Sequence, residues 1–133
     1  MLISTKGRYA MRLMIDIAQR APGETVSLRE IAEYEGISLK YLEQLVRPLT
    51  QAGLLAGQRG KNGGYHIAKD AIEIKAGDIL RAVEGTTIPV ACMALEEQCP
   101  RVSQCGAVQF WTGLDRVIED YVDSATLADL ARH

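Results

Sequence analysis

Ser27 and Ser38 each stand directly before a run of periodic apolar residues, and Gly36 lies between the two runs. A serine in that place accepts from the free N–H groups of a helix's first turn. Ser27 is followed three residues later by Glu30, the S-x-x-E capping box in which each side chain satisfies the other's backbone N–H. The helix it opens, L-R-E-I-A-E-Y-E, is short and ends at Gly36. Ser38 opens the next, where Leu39, Leu42, Leu45, Val46 and Leu49 recur at three- and four-residue steps and define one buried face. Lys40, Tyr41, Glu43, Gln44 and Arg47 fall between them and face outward. Gly53 stops the helix. Two helices joined by a glycine-containing turn of this length make a helix-turn-helix whose second member reads DNA. The same pair, taken alone, also describes an αα-hairpin with no DNA role.

The segment after Gly53 favours DNA. A short apolar strand leads to a glycine-rich tip with Arg59, Lys61 and Asn62, and Tyr65 and Ile67 lie on a returning strand. Gly60, Gly63 and Gly64 permit the tight positive-φ turn of a hairpin. A phosphate-cradling loop fits less well, since no Gly-Lys-Ser/Thr ending leads into a helix. A basic hairpin beside a polar helix face is a winged helix-turn-helix. Its Arg59 and Lys61 would meet the minor groove and its rim. Pro48, about ten residues into the reading helix, is expected to kink or end its regular part beyond the base-reading residues.

The flanking segments serve that unit. Ser4 caps a first helix over 5–21, with Tyr9, Leu13, Met14, Ile17 and Ala18 as its apolar stripe and Lys6, Arg8 and Arg12 on its polar side. Those cations suit backbone phosphates or a solvated helix face equally. A short strand is expected at 72–74, then a helix A-G-D-I-L-R-A-V-E closed by Gly85. Val102 to Val122 reads as a long helix with a wide stripe of Val108, Trp111, Leu114, Val117, Ile118, Tyr121 and Val122. Little core remains to cover that stripe, so a second copy is expected on it, as two palindromic half-sites require. Ser124 is expected to cap a short closing helix.

Charge is divided along the chain. Residues 1–75 hold 11 Lys and Arg against 8 Asp and Glu, while residues 76–133 hold 4 against 9. The excess of positive charge therefore lies with the reading head. No apolar run approaches the roughly 20 residues of a membrane span. The opening M-L-I-S-T-K-G-R has no apolar signal core, so the cytoplasm is expected. No nucleophile and base stand at a recognisable spacing, and His66 and His133 lie far apart, so an enzyme is not expected.

Cys92, Cys99 and Cys105 form an odd cluster with gaps of six and five residues. In a reducing cytoplasm such a cluster points to metal or redox chemistry rather than a disulfide. The gaps are too wide for a zinc C-x-x-C pair and suit a larger inorganic core, whose faces separate thiolates can reach. A fourth donor would be an oxygen or a residue from a partner subunit. Three functionless thiols are the alternative.

Five motifs carry a resemblance: M-x-I-S-T-K-G-R-Y-A, S-L-K-Y-L-E-Q-L-V-x-P-L, R-G-x-x-G-G-Y, A-G-D-I-x-R-x-V-E-G and T-L-A-D-L. Together they span nearly the whole chain, which resembles the IscR-type winged-helix regulators, the family that also holds CymR and NsrR. The resemblance implies a homodimeric transcription factor with the long helix crossing between subunits. It implies that Cys92, Cys99 and Cys105 bind an iron–sulfur cluster whose presence changes DNA binding; CymR-type members lack these cysteines. In the iron–sulfur biogenesis regulators a histidine three residues after the last cysteine completes the site, and Val108 stands there. In the nitric-oxide sensors an aspartate near the N-terminus does so from the other subunit, and Arg8 stands there. The first cysteine gap is one residue longer than in either branch.

The expected fold is mainly α with a small β-hairpin: a winged helix-turn-helix domain over 1–85, a cysteine-bearing loop over 86–105, and a dimerisation helix with a closing helix over 106–133. The expected function is a cytoplasmic homodimeric repressor on a palindromic DNA operator. Ser38, Lys40, Tyr41, Glu43, Gln44, Arg47, Arg59 and Lys61 would contact DNA. Cys92, Cys99 and Cys105 would hold a cluster, 2Fe–2S before 4Fe–4S, that senses iron–sulfur status, redox or nitric oxide stress. The alternative is a cluster-free regulator of cysteine or sulfur metabolism controlled by a partner protein.

Overall fold

The computed structural model describes residues 3–90 and 103–132. Three helices come first: α1 Thr5–Ala18, α2 Leu28–Glu35 and α3 Leu39–Gln51. A hairpin comes next, β1 Leu55–Gln58 and β2 Gly64–Ile67, antiparallel with Leu55 opposite Ile67 and Gln58 opposite Gly64. A 3-10 turn at Ala71–Glu73 leads to α4 Ala76–Glu84. Beyond the cysteine-bearing segment lie α5 Val108–Val122 and the short α6 Leu127–Leu130. No helix of the described residues is long and apolar enough to cross a membrane.

Three of the four serine caps form as expected. Ser4 accepts from the N–H of Lys6, Ser27 from Glu30 and Ser38 from Tyr41. The capping box at Ser27 is half formed, because the Glu30 carboxylate pairs with Arg20 at 3.0 Å instead. Gly36, with φ 68°, ends α2 in the left-handed region that glycine enters without steric cost.

One aliphatic core joins these elements. Leu13 and Met14 of α1, Ile31 of α2, Leu42 and Leu49 of α3, Leu55 of β1, Ile79 of α4 and Leu127 of α6 are all fully buried. Each such burial is worth about 1.5–3 kcal/mol relative to exposure. Leu39 departs from its expected place: it is 36% exposed, because the first turn of α3 stands beyond the rim of the core. Pro48 does not end α3, which runs on to Gln51. The proline removes one backbone bond, and the burial of Leu45, Val46 and Leu49 around it holds the helix together.

Four further expectations change. Residues 72–74 are not a strand. The Asp70 carboxylate accepts from the N–H of Ile72 at 3.2 Å and winds Ala71–Glu73 into a 3-10 turn. The first helix stops at Ala18 rather than 21, and the long helix starts at Val108, after turns at 103–107. The closing helix is capped by Thr126, which forms a full box with Asp129. Ser124 donates its hydroxyl to the Tyr121 carbonyl instead.

The C-terminal segment is stitched to the domain core by backbone. The Leu127 N–H donates to the Ile74 carbonyl at 2.7 Å and the Ala76 N–H to the Ala125 carbonyl at 2.9 Å. Beside this seam Arg81 of α4 grips both carboxylate oxygens of Asp123 at 2.8 Å. That hydrogen bond, working against partial burial, raises the Arg81 pKa.

Charges also join α1 to α2. Arg12 pairs with Glu35 at 2.8 Å, and Arg20 bridges Asp16 at 3.2 Å and Glu30 at 3.0 Å. Asp16 is buried, and its second oxygen has no hydrogen-bond partner among the described residues. Burial raises its pKa, Arg20 pulls it back, and the nearby Glu35 carboxylate raises it further.

Candidate nucleic-acid interface

The outward row of α3 is built by its phase in the core. With Leu42, Leu45, Val46 and Leu49 held inside, the intervening Lys40, Glu43, Gln44 and Arg47 are exposed. None of the four side chains makes a hydrogen bond or ion pair within the described residues, so their charge and hydrogen-bonding capacity remain free for a ligand. Ser38 is exposed but already engaged, its oxygen accepting from the Tyr41 N–H at 3.1 Å.

Tyr41 is half-buried rather than outward. Its ring meets that of Tyr9 edge to face, with centroids 5.6 Å apart and planes at 84°. The Arg12 guanidinium carbon lies 5.4 Å from the Tyr9 centroid and that of Arg8 lies 6.0 Å away. Cations over an aromatic face are attracted by its quadrupole. Arg8, Arg12, Tyr9 and Tyr41 thus join α1 to the α3 surface, a contact that helical spacing does not reveal. Spacing alone puts Tyr9 in the α1 stripe and Tyr41 outward; the available signal is two tyrosines, each at the edge of an apolar stripe.

The hairpin projects Arg59, Lys61 and Asn62 from its tip, all exposed. Gly60, with φ 114°, takes the turn's positive-φ position. Gly63 is needed for space instead: a Cβ there would lie 2.5 Å from the Gln58 carbonyl oxygen and 2.8 Å from that of Gly60. The base of the hairpin is pinned to the segment before α2. Val26 and Tyr65 exchange backbone bonds at 3.0 and 2.9 Å, and the Thr25 hydroxyl donates to the Asn62 carbonyl at 2.8 Å. The β-branched pair Thr25–Val26 before Ser27 was the available signal for this third, bridging segment. The wing therefore holds a fixed aim relative to the helix-turn-helix, and both carry free polar groups.

Of the three cysteines, Cys92 and Cys99 lie outside the described residues. Cys105 is a free, exposed thiol just ahead of α5. Among the described residues no three His, Cys, Asp or Glu side chains gather closely enough to hold a metal ion. Val108 opens α5, and Arg8 lies over Tyr9. The apolar stripe of α5 is covered in part: Val108, Trp111, Leu114, Ile118 and Val122 are half-buried, while Val117 is 65% and Tyr121 74% exposed, and Phe110 on the same helix is 65% exposed.

Comparison with known proteins gives concordant matches. Residues 3–133 match the family model Rrf2, described as an iron-dependent transcriptional regulator. The regulator CymR of Bacillus subtilis is 40% identical, across all of this chain and 91% of its own length. The regulator IscR of Serratia proteamaculans is 38% identical, across all of this chain and 80% of its own. The structure of B. subtilis CymR, described as the global cysteine regulator, superposes with a TM-score of 0.81 over 99% of this chain and 97% of that one, at 39% identity. T. potens IscR does so with a TM-score of 0.77 over 99% and 87%, at 38% identity.

Proposed function

Because the chain belongs to the Rrf2 family of transcriptional regulators, we propose that it represses transcription in the cytoplasm as a homodimer on a palindromic operator. The observation that carries this reading is the free polar row of α3 set beside the exposed cations of the wing. In it, Ser38, Lys40, Tyr41, Glu43, Gln44 and Arg47 contact bases or phosphates in the major groove. Arg59 and Lys61 reach the minor groove and its phosphates. The exposed edge of the α5 stripe, Val117 and Tyr121, takes the same edge of a second copy, which spaces two reading heads across the two-fold axis.

The switch in this reading is an iron–sulfur cluster on Cys92, Cys99 and Cys105. The donor set fits in kind: three thiols, of which Cys105 is exposed and unbonded. Val108 and Arg8 cannot ligate iron, so the three thiolates would hold the group with an oxygen donor or a residue of a second copy, and a weakly held group would suit sensing of oxygen or nitric oxide. The cluster, when bound, supplies iron that such small molecules can attack. The chain supplies the thiolates and, through α5, the surface that sets the distance between reading heads.

Two experiments test this. Selection from a random duplex library should enrich a palindrome, and return of an unenriched library would refute the DNA reading. Anaerobic purification with iron and sulfide assays should find both in a coloured protein. A colourless protein that takes up no iron on reconstitution would refute the cluster. It would leave a cluster-free regulator of cysteine or sulfur metabolism controlled by a partner protein; the likeness to B. subtilis CymR, described as the global cysteine regulator, supports the metabolic part of that reading.

A further inference from the structure

The first turn of α1 is held from outside. First-turn N–H groups have no partner within their own helix. Glu84, the last residue of α4, reaches across and satisfies them. A single oxygen of its carboxylate, Oε1, accepts from the Ser4 N–H at 2.9 Å, the Gly7 N–H at 3.0 Å and the Ser4 hydroxyl. Its charge also complements the positive end of the helix. The seat is close: a Cβ on Gly7 would lie 2.6 Å from Glu84 Oε1 and 2.6 Å from Ile3 Cγ2.

This cap joins two regions that are far apart in sequence. On one side Glu84 is followed by Gly85, where the chain leaves α4 toward the cysteine-bearing segment. On the other side Tyr9 stands two residues beyond Gly7 and meets Tyr41 of the recognition helix edge to face. A displacement of α1's first turn moves Tyr9, and Tyr9 cannot move without releasing or pushing Tyr41.

We propose that Glu84 is a positioning residue for DNA reading: through Ser4 and Gly7 it fixes the first turns of α1, and through Tyr9 it sets the pose of Tyr41 on α3. The proposal rests on the DNA-binding reading above. A cap that only stabilises the fold changes how much protein is folded. One that sets Tyr41 changes which duplex the folded protein prefers.

The test uses the full chain, the duplex that the wild type enriches, and a scrambled duplex of the same length and composition. Glu84→Gln keeps the size and removes the charge; Glu84→Asp keeps the charge and shortens the reach. Both should remain folded, with faster amide exchange at Gly7. Both should lower the preference for the enriched duplex by about five- to tenfold, the scale of one lost hydrogen bond. Gly7→Ala should lower it comparably, and Gly7→Ala with Glu84→Gln should lose little more, since both act on one contact. An unchanged preference in folded Glu84→Gln overturns the proposal. So does full wild-type preference in Glu84→Asp, which would reduce the residue to its charge, or losses that simply add in the double variant. If the wild type enriches no duplex, the DNA reading fails with it; if the wild type discriminates and the Glu84 variants discriminate equally, only this inference fails.

Discussion

Arg59→Ala should flatten the salt dependence of DNA binding by an amount that also counts the wings engaged. Arg59 is exposed at the hairpin tip and has no ion pair or hydrogen bond among the described residues, so its whole charge is available to a phosphate. Each cation that neutralises a phosphate contributes about 0.9 to the slope of log affinity against log salt. A two-fold dimer presents two wings, so the variant should lose about 1.8 from that slope. Between about 50 and 200 mM salt, the wild type should then lose about tenfold more affinity than the variant. Fluorescence anisotropy with the enriched duplex at four salt concentrations measures both slopes. Arg116→Ala, on exposed α5 away from the reading head, should leave the slope unchanged. An unchanged slope in Arg59→Ala would remove the wing from the interface. A fall of only about 0.9 would mean one wing engages, against a symmetric dimer on its site.

Three other outcomes are expected. Glu43→Ala should change the ranking of DNA sites, because a carboxylate facing DNA is tolerated where a cytosine amino group donates to it and repelled elsewhere; an unchanged ranking removes that role. Val117→Asp, placing a charge on the exposed edge of the α5 stripe, should give a folded monomer by sedimentation, and a wild type that is itself monomeric at micromolar concentration would sink the dimer. The Asp16 pKa is raised in the folded state above its ordinary 3.8, so its contribution to stability is complete below that value and is lost as pH rises through the folded pKa. The stability of Asp16→Asn relative to wild type should therefore be greatest near neutral pH and diminish on acidification, measured by urea unfolding. A difference that does not vary with pH contradicts the burial argument.

The elements whose signals are local were legible in the sequence. Ser4, Ser27 and Ser38 mark helix starts because a hydroxyl one residue ahead of a helix has a local job to do. Gly36 and Gly85 mark ends for the same kind of reason, and the hairpin between Leu55 and Ile67 was carried by its glycines. The misses are tertiary. Ile72 and Ile74 have strand-like side chains, but Asp70 captures the backbone first. Leu39 fits the apolar period yet lies past the rim of the core, which periodicity cannot locate. The candidate site was legible in its exposed residues, since phase alone puts Lys40, Glu43, Gln44 and Arg47 outside. Its supports were not: the Tyr9–Tyr41 contact and the Glu84 cap join residues 32 and 80 positions apart, and no local pattern encodes them.

The stitching of Leu127 to Ile74 has a consequence for biosynthesis. Leu127 fills a core that α1, near the other end of the chain, helps to enclose, and the Gln19 amide donates to the Ala131 carbonyl at 3.3 Å. A nascent chain that has released only about its first hundred residues from the ribosome lacks this plug. The reading head reaches its final packing only after the cysteine-bearing segment and α5 have emerged. A premature stop at residue 122 should therefore yield a loosened winged helix, not a trimmed but intact one.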